Sequence, residues 1–233
     1  MKRFRYVLIG LLPLLSACVA LSAPKPVDQK ASVVAISISL KAPLVSFLRQ
    51  TPQVAYFVRL DKDGNPASGY TPIASNKGSG GDLFLFNAKP GRYAVVGAMY
   101  SKSNQPGTSK TTVSSTSSGS STFTLSFTPR NAFGTFFTEE LIKLTTVTVK
   151  PGEFNYIGDF VISMHNGMDE ADGTQRRYAA LVDAKGRMNH YRGNKDSVDK
   201  SKKTKIEFLK EMKKKLEKSG WEAHIQRAIN SLQ

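Results

Sequence analysis

The chain has 233 residues, with 33 Lys and Arg against 18 Asp and Glu, and a formal charge of +15. Its 40% hydrophobic content is enough to fill a core, which excludes a chain disordered throughout. The single cysteine excludes an internal disulfide framework and a cysteine-built zinc site, and with only one long apolar run the chain does not read as a polytopic membrane protein.

That apolar run stands at the start. Lys2, Arg3 and Arg5 precede Val7 to Leu15. These nine residues are too few to cross a bilayer core, which takes roughly 20 in a helix. Positive charge, a short apolar run and then small residues is the pattern of a secretory signal peptide, here over residues 1–17. The stretch Leu15-Ser16-Ala17-Cys18 resembles the lipobox of bacterial lipoproteins. The resemblance implies cleavage before Cys18, a diacylglyceryl group on its thiol and an acyl chain on the new amine. Val19 rather than Asp follows the cysteine, which in that family implies the outer membrane. Two acyl signals already anchor a protein stably, at roughly 0.8 kcal/mol per buried methylene.

Residues 18–31 carry Pro24 and Pro26 and few large apolar groups, so they read as a tether that lets a domain stand off from the lipid. A β-domain is expected over 32–192. Ile36, Ile38 and Leu40 alternate with small polar residues, the period of a half-buried strand, and 53–60 reads as a second strand closed by Asp61-Lys62-Asp63-Gly64-Asn65. Residues 89–97, KPGRYAVVG, match 150–158, KPGEFNYIG, in the opening Lys-Pro-Gly, the following aromatic and the closing glycine. Pro then Gly suits a type II turn. Two such strand–turn–strand units point to antiparallel sheets packed as a sandwich. Residues 101–122 hold nine Ser and five Thr, too little apolar surface to offset ordering, so they read as a long flexible loop. Alternation returns at Phe123 to Phe127, and Phe154 to Ile162 reads as a late core strand.

Over 193–233 the pattern becomes helical and basic. Ile206, Leu209, Met212 and Leu216, with Phe208 alongside, make one apolar stripe. Ser201 or Thr204 is placed to cap it. After Ser219-Gly220, a second stripe follows at Trp221, Ile225, Ala228, Ile229 and Leu232. The fold class is therefore mainly β, an antiparallel β-sandwich with a C-terminal α-helical hairpin. The β-part looks like prealbumin-type or immunoglobulin-like modules of cell-envelope proteins over roughly 32–165, a resemblance that implies fold and no active site.

No catalytic constellation is present. His165, His190 and His224 are far apart and in no ligand pair, and neither a nucleophile elbow nor a phosphate loop occurs. Asp61, Asp63 and Asn65, and separately Asp169, Glu170 and Asp172, read either as calcium loops or as solvated turns. In the first, Pro72 occupies the place of the bidentate glutamate. No cofactor or metal is expected. Residues 185–233 carry 14 basic and six acidic groups. In an exported protein that charge suits anionic headgroups, a glycolipid or an acidic protein rather than nucleic acid. Lys202, Lys203, Lys205, Lys210, Lys213 and Lys214 are the candidate contacts. The reading is a non-enzymatic envelope lipoprotein that meets another envelope protein or an anionic glycolipid. The alternative is a glycan- or lipid-binding module using Tyr56, Tyr70, Tyr100 and Trp221.

Overall fold

The computed structural model describes residues 22–43, 47–67, 71–102, 111–115, 121–125 and 132–233. The expected leader at 1–17, Cys18, and much of the Ser/Thr-rich segment lie outside the described residues. In chain order the elements are β1 (Ser32–Lys41), β2 (Arg49–Gln50), β3 (Val54–Leu60), β4 (Ile73–Ala74), β5 (Lys77–Ser79), β6 (Asp82–Ala88), β7 (Gly91–Ser101), β8 (Thr111–Ser115), β9 (Ser121–Leu125) and β10 (Ala132–Phe137). Helix α1 (Glu139–Leu144), β11 (Val147–Val149), β12 (Phe154–His165), α2 (Gly173–Val182), β13 (Asn189–Asp199), α3 (Lys202–Lys215) and α4 (Glu222–Asn230) complete it.

The molecule is mainly β with helices at its C-terminus. Among the described residues the strands do not divide into the two facing sheets expected of a sandwich. Eleven strands join in one sheet, ordered β4-β3-β7-β10-β13-β12-β1-β6-β5 with β2 and β11 alongside, which curls into an open half-barrel. Nor is it antiparallel throughout, since β1 runs parallel to β12 and β10 parallel to β13. The reason lies in the two Lys-Pro-Gly turns. β6 pairs with β1 and β5, whereas β7 pairs with β3, β10 and β11. The turn at 89–91 therefore carries the chain from one wall of the curl to the other instead of closing a hairpin. The turn at 150–152 does the same between β11 and β12. Their glycines have φ of +151° at Gly91 and +77° at Gly152, the positive region a side chain resists.

The closing glycine of each repeat has its own role. Opposite Ala35 and Ser37 the pairing jumps from Tyr156 to Asp159, and Gly158, at φ +147°, sits in that bulge. A Cβ there would stand 2.7 Å from the Asp199 carbonyl. The extra residue reverses the parity of the strand. Before it, Phe154 and Tyr156 face the C-terminal helices; after it, Phe160, Ile162 and Met164 face the interior of the curl. Gly97 flanks a second irregularity, where β3 steps from Tyr56 to Phe57.

The wall β12-β1-β6 is buried on both faces. In β1, Val34, Ile36, Ile38 and Leu40 fill the interior with Phe57, Val95 and Phe136, while Val33 and Ala35 face outward beneath α3 and α4. In β6, Leu83 and Leu85 point in and Phe84 and Phe86 point out. The helices cover that outer face. Phe208 stacks on Tyr156 at 3.8 Å between ring centres, and Trp221 packs on Phe86 at 5.3 Å. Phe208, Leu209, Met212, Leu216, Trp221, Ile225 and Ile229 are all buried, each worth about 1.5–3 kcal/mol in removed apolar surface.

The sheet runs further than the sequence indicates. β13 occupies residues 189–199 at the centre, so the helical region starts at Lys202 and not at 193. Its residues Asn194 to Ser197 are exposed in succession, so both faces of the strand meet water there and it lacks the apolar alternation of a half-buried strand. Helix α2, unanticipated, is opened by a capping box between Asp172 and Gln175. The loop expected over 101–122 holds strand β8 and the start of β9, which pair with Thr111 opposite Leu125. Thr and Val favour strands even in a segment poor in large apolar groups. The tether is also docked in its described part. Trp221 Nε1 donates to the Pro24 carbonyl at 2.7 Å, Val27 N donates to Asn87 Oδ1 at 3.2 Å, and Gly152 N donates to the Lys30 carbonyl at 2.9 Å. Residues 22–31 form a strap across the body because Ala31 and part of Ala23 belong to the core under the helices.

The outer edges of the curl are linked by one short segment. Ser75 N donates to Ala55 O at 2.7 Å on the β3 side. Asn76 uses its side chain as a piece of strand on the β6 side, accepting from Phe86 N and donating to Phe86 O, both at 2.9 Å. Asn76→Ala leaves both Phe86 groups without their partners and is expected to destabilise the fold by about 1–3 kcal/mol in chemical denaturation.

Candidate functional site

Helix α3 begins at a well-made cap. Ser201 Oγ accepts from Thr204 N at 3.2 Å, and Asp199 accepts from Ser201 N and from the Thr204 hydroxyl at 2.8 and 2.6 Å. These hydrogen bonds hold the Asp199 carboxyl below its usual range. Within the first turns stand Lys202, Lys203 and Lys205, and no acid occupies the first turn. Cations there oppose the helix macrodipole, whereas Lys213, Lys214 and Lys215 in the last turn complement it. Helix stability therefore explains the C-terminal lysines and not the N-terminal ones.

The six candidate lysines separate into two groups. Lys202 donates to the Gln233 carbonyl at 3.3 Å, Lys203 lies 4.0 Å from Glu207, and Lys205 depresses the neighbouring Lys200 by its charge, after burial. Lys210, Lys213 and Lys214 come together. With Glu217, Glu222, Gln226 and Ile229 they line an open groove of about 590 Å³ between α3 and α4. Lys213 donates to Gln226 Oε1 at 2.7 Å. Lys210 and Lys214 are exposed and make no ion pair with a described residue. From 200 to 233 the chain carries ten basic and four acidic residues. The groove is thus a solvent-open slot in which three lysines stand beside the carboxylates of Glu217 and Glu222, with the amides of Gln226 and Gln233 and an apolar wall at Ile229; the lysines outnumber the acids, which suits an anionic group.

Lys215, not among the six candidates, fastens the helix to the sheet. It lies 2.6 Å from Glu211 and 3.7 Å from Asp82. Burial lowers its pKa, but these two carboxylates outweigh that and raise it. Asp82 in turn accepts from Ser37 Oγ at 2.6 Å, which accepts from Tyr156 O–H at 2.9 Å. Burial raises the Asp82 and Tyr156 pKa values. This chain of polar groups runs beneath α3 and positions it.

The remaining sequence candidates take structural places. Asp61 Oδ1 accepts from Asp63 N and Asn65 N, both at 2.9 Å, and so closes its own turn. Asp172 caps α2. Among the described residues no group of three His, Cys, Asp or Glu side chains is arranged around a metal position. His190 Nε2 lies 3.0 Å from Asp183 Oδ2. Burial raises the Asp183 carboxyl, but the Arg187 and Met188 amides and His190 outweigh it and bring it below its usual range. Of the aromatics proposed as an outward platform, Trp221 and Tyr100 are buried and Tyr56 is half-buried; Tyr70 lies outside the described residues. Burial pushes the Tyr56 and Tyr100 hydroxyls up to about 12. Among the described residues no helix is long and apolar enough to cross a membrane.

Set against known proteins, the chain matches no family model, no curated protein and no solved structure. The groove itself was only half legible in sequence. The lysines announce themselves by number, but Gln226 and Glu222 reach the slot only because α4 folds back along α3.

Two outcomes follow from this geometry. Reversing Lys210, Lys213 and Lys214 to Glu is expected to lower the salt needed to elute the protein from immobilised heparin, and to do so more than reversing exposed Lys62, Lys102 and Lys185, which change the charge equally. His224, 6% exposed, is held below its ordinary pKa of 6.5 by burial and by Arg227, with the Gln29 carbonyl pulling the other way. The unfolded chain therefore takes up this proton first, so the contribution is present above about pH 6.5 and is lost as the pH falls below it. Denaturation across pH 5–8 should show a shallower acid loss in His224→Leu than in wild type.

Proposed function

We propose that this chain is a lipid-anchored lipoprotein of the bacterial cell envelope, held at the outer membrane through Cys18, with a non-enzymatic role in contacting another envelope component. The observation that carries the contact role is the convergence of Lys210, Lys213 and Lys214 on one open groove. A lysine set gathered into a slot, with Lys210 and Lys214 unpaired among the described residues, favours an anionic partner over a merely solvated face. The lysines in the first turns of α3, placed against the helix dipole, support the same reading. The partner is an acidic envelope protein or an anionic glycolipid; of the aromatics named for a glycan-binding module, Trp221 and Tyr100 are buried and Tyr56 is half-buried, which favours the lysine groove as the contact.

The anchor rests on the lipobox residues Leu15-Ser16-Ala17-Cys18. Cys18→Ala is expected to abolish palmitate incorporation and to leave an unprocessed precursor or a miscut soluble form. Unchanged labelling in that variant overturns the anchor. Crosslinking in intact cells, followed by purification of the lipidated protein, tests the contact role. A reproducible protein or glycolipid partner that is lost when the three groove lysines are reversed supports it, and a partner that survives the reversal places contact elsewhere.

A further inference from the structure

The N-terminal strap and the two Lys-Pro-Gly turns lie at the same end of the sheet. β1, β7 and β12 begin there, and β3, β6 and β11 end there. The turns are direct neighbours, since Gly91 pairs with Val149. The strap is fastened across them: Gly152 N donates to the Lys30 carbonyl, Ser32 Oγ donates to the Lys150 carbonyl at 2.8 Å, and Asn87 Nδ2 donates to the Lys25 carbonyl at 3.1 Å. Lys25, Lys30, Lys89 and Lys150 are all exposed at this end and make no ion pair with a described residue. Between Lys25 and Lys30 stands Val27, an apolar side chain 74% exposed. The acids at this end keep their charge but are outnumbered: Asp28 accepts from Lys30 N, Glu153 from Lys150 N, and Asp61 and Asp63 lie in a turn with Lys62 and with Arg92 donating to it, so the four lysines remain in excess.

The length of chain outside the described residues fixes what this end can reach. From Cys18 to Pro24, whose carbonyl is held by Trp221, there are six peptide steps, which span at most about 22 Å. Strand β12, with 12 residues, is by itself about 40 Å long. An anchor at Cys18 therefore keeps the strap end within a short reach of the lipid, while the opposite end is free to stand well away from it. We propose that this strap end is a membrane-facing surface, on which Lys25, Lys30, Lys89 and Lys150 contact anionic lipid headgroups and Val27 meets the interface. The inference rests on the lipid anchor proposed above. Tethering turns a weak headgroup contact into an intramolecular one, and the attraction acts within a Debye length of about 8–10 Å. The lysine groove on the α3–α4 flank is then left sideways to the membrane and open to a partner.

The test uses the full chain, purified with its lipid and reconstituted in phosphatidylcholine vesicles with or without phosphatidylglycerol, some headgroups carrying a nitroxide. Acylated Cys18 has no free thiol, so Gln29→Cys at the strap end, or Lys185→Cys at the opposite end, provides one site for a fluorophore. With phosphatidylglycerol present, the label at 29 should be quenched severalfold more than the label at 185. The difference should shrink at high salt and in a variant with Lys25, Lys30, Lys89 and Lys150 all changed to Glu. Equal quenching at the two positions, or stronger quenching at 185, in protein that floats with the vesicles overturns the orientation and leaves the anchor standing. A wild-type protein that does not float and whose Cys18 takes the fluorophore overturns the anchor, and the orientation with it.

Discussion

The wall formed by β12, β1 and β6 is apolar on both of its faces, and the rest of the structure answers to that. One face is satisfied by curling: the sheet bends until the opposite wall of β3, β7 and β10 meets it, and Val34, Ile36, Phe57, Val95 and Phe136 share one interior. The other face has no sheet to meet. Val33, Ala35, Phe84, Phe86, Phe154 and Tyr156 are covered by α3 and α4, so the C-terminal helices are part of the core and not an appendage. Their apolar stripes are spent on the sheet, and what they offer to solvent is the charged remainder. The basic groove is a consequence of this division, because lysines excluded from the packed face of α3 are left on the side that α4 approaches.

The same cover explains the strap. Trp221 fills the space over Phe86 and brings its ring N–H, which must find an acceptor when buried, to the Pro24 carbonyl. A segment that composition marks as a tether is thereby pinned along the body. The functional consequence concerns distance. A free tether of residues 18–31 would let the domain roam; under the anchor proposed at Cys18, a strap fixed from Pro24 onward would hold one end of the sheet near the lipid and give the molecule a direction relative to it.

The elements most legible in sequence are those whose pattern is local. Ile36, Ile38 and Leu40 alternate because Ser37 and Ser39 lie on a part of the sheet not fully covered, and the stripes of α3 and α4 repeat because a single face of each helix is buried. Where packing is two-sided or partner-dependent, the signal is lost. β13 holds a central position with Lys195, Asp196 and Asp199 along it, and its register comes from β10 and β12 rather than from its own side chains. The six candidate lysines were visible as a cluster, yet only the tertiary fold separates Lys210, Lys213 and Lys214 in the groove from Lys202, Lys203 and Lys205 at the cap.

The mainly β character, the turn chemistry of the two Lys-Pro-Gly repeats, the amphipathic C-terminal helices and the excess of positive charge are all written locally in the chain, because each depends on side chains within a few residues of one another. Tertiary pairing settles that those turns connect opposing walls, that β1 runs parallel to β12, that eleven of the described strands make one curled sheet, and which lysines meet. Those outcomes depend on pairing between residues more than a hundred positions apart, such as Val33 with Phe154 and Ser32 with Lys150. No local pattern encodes such a pairing; it is selected by which arrangement buries both faces of the same three strands.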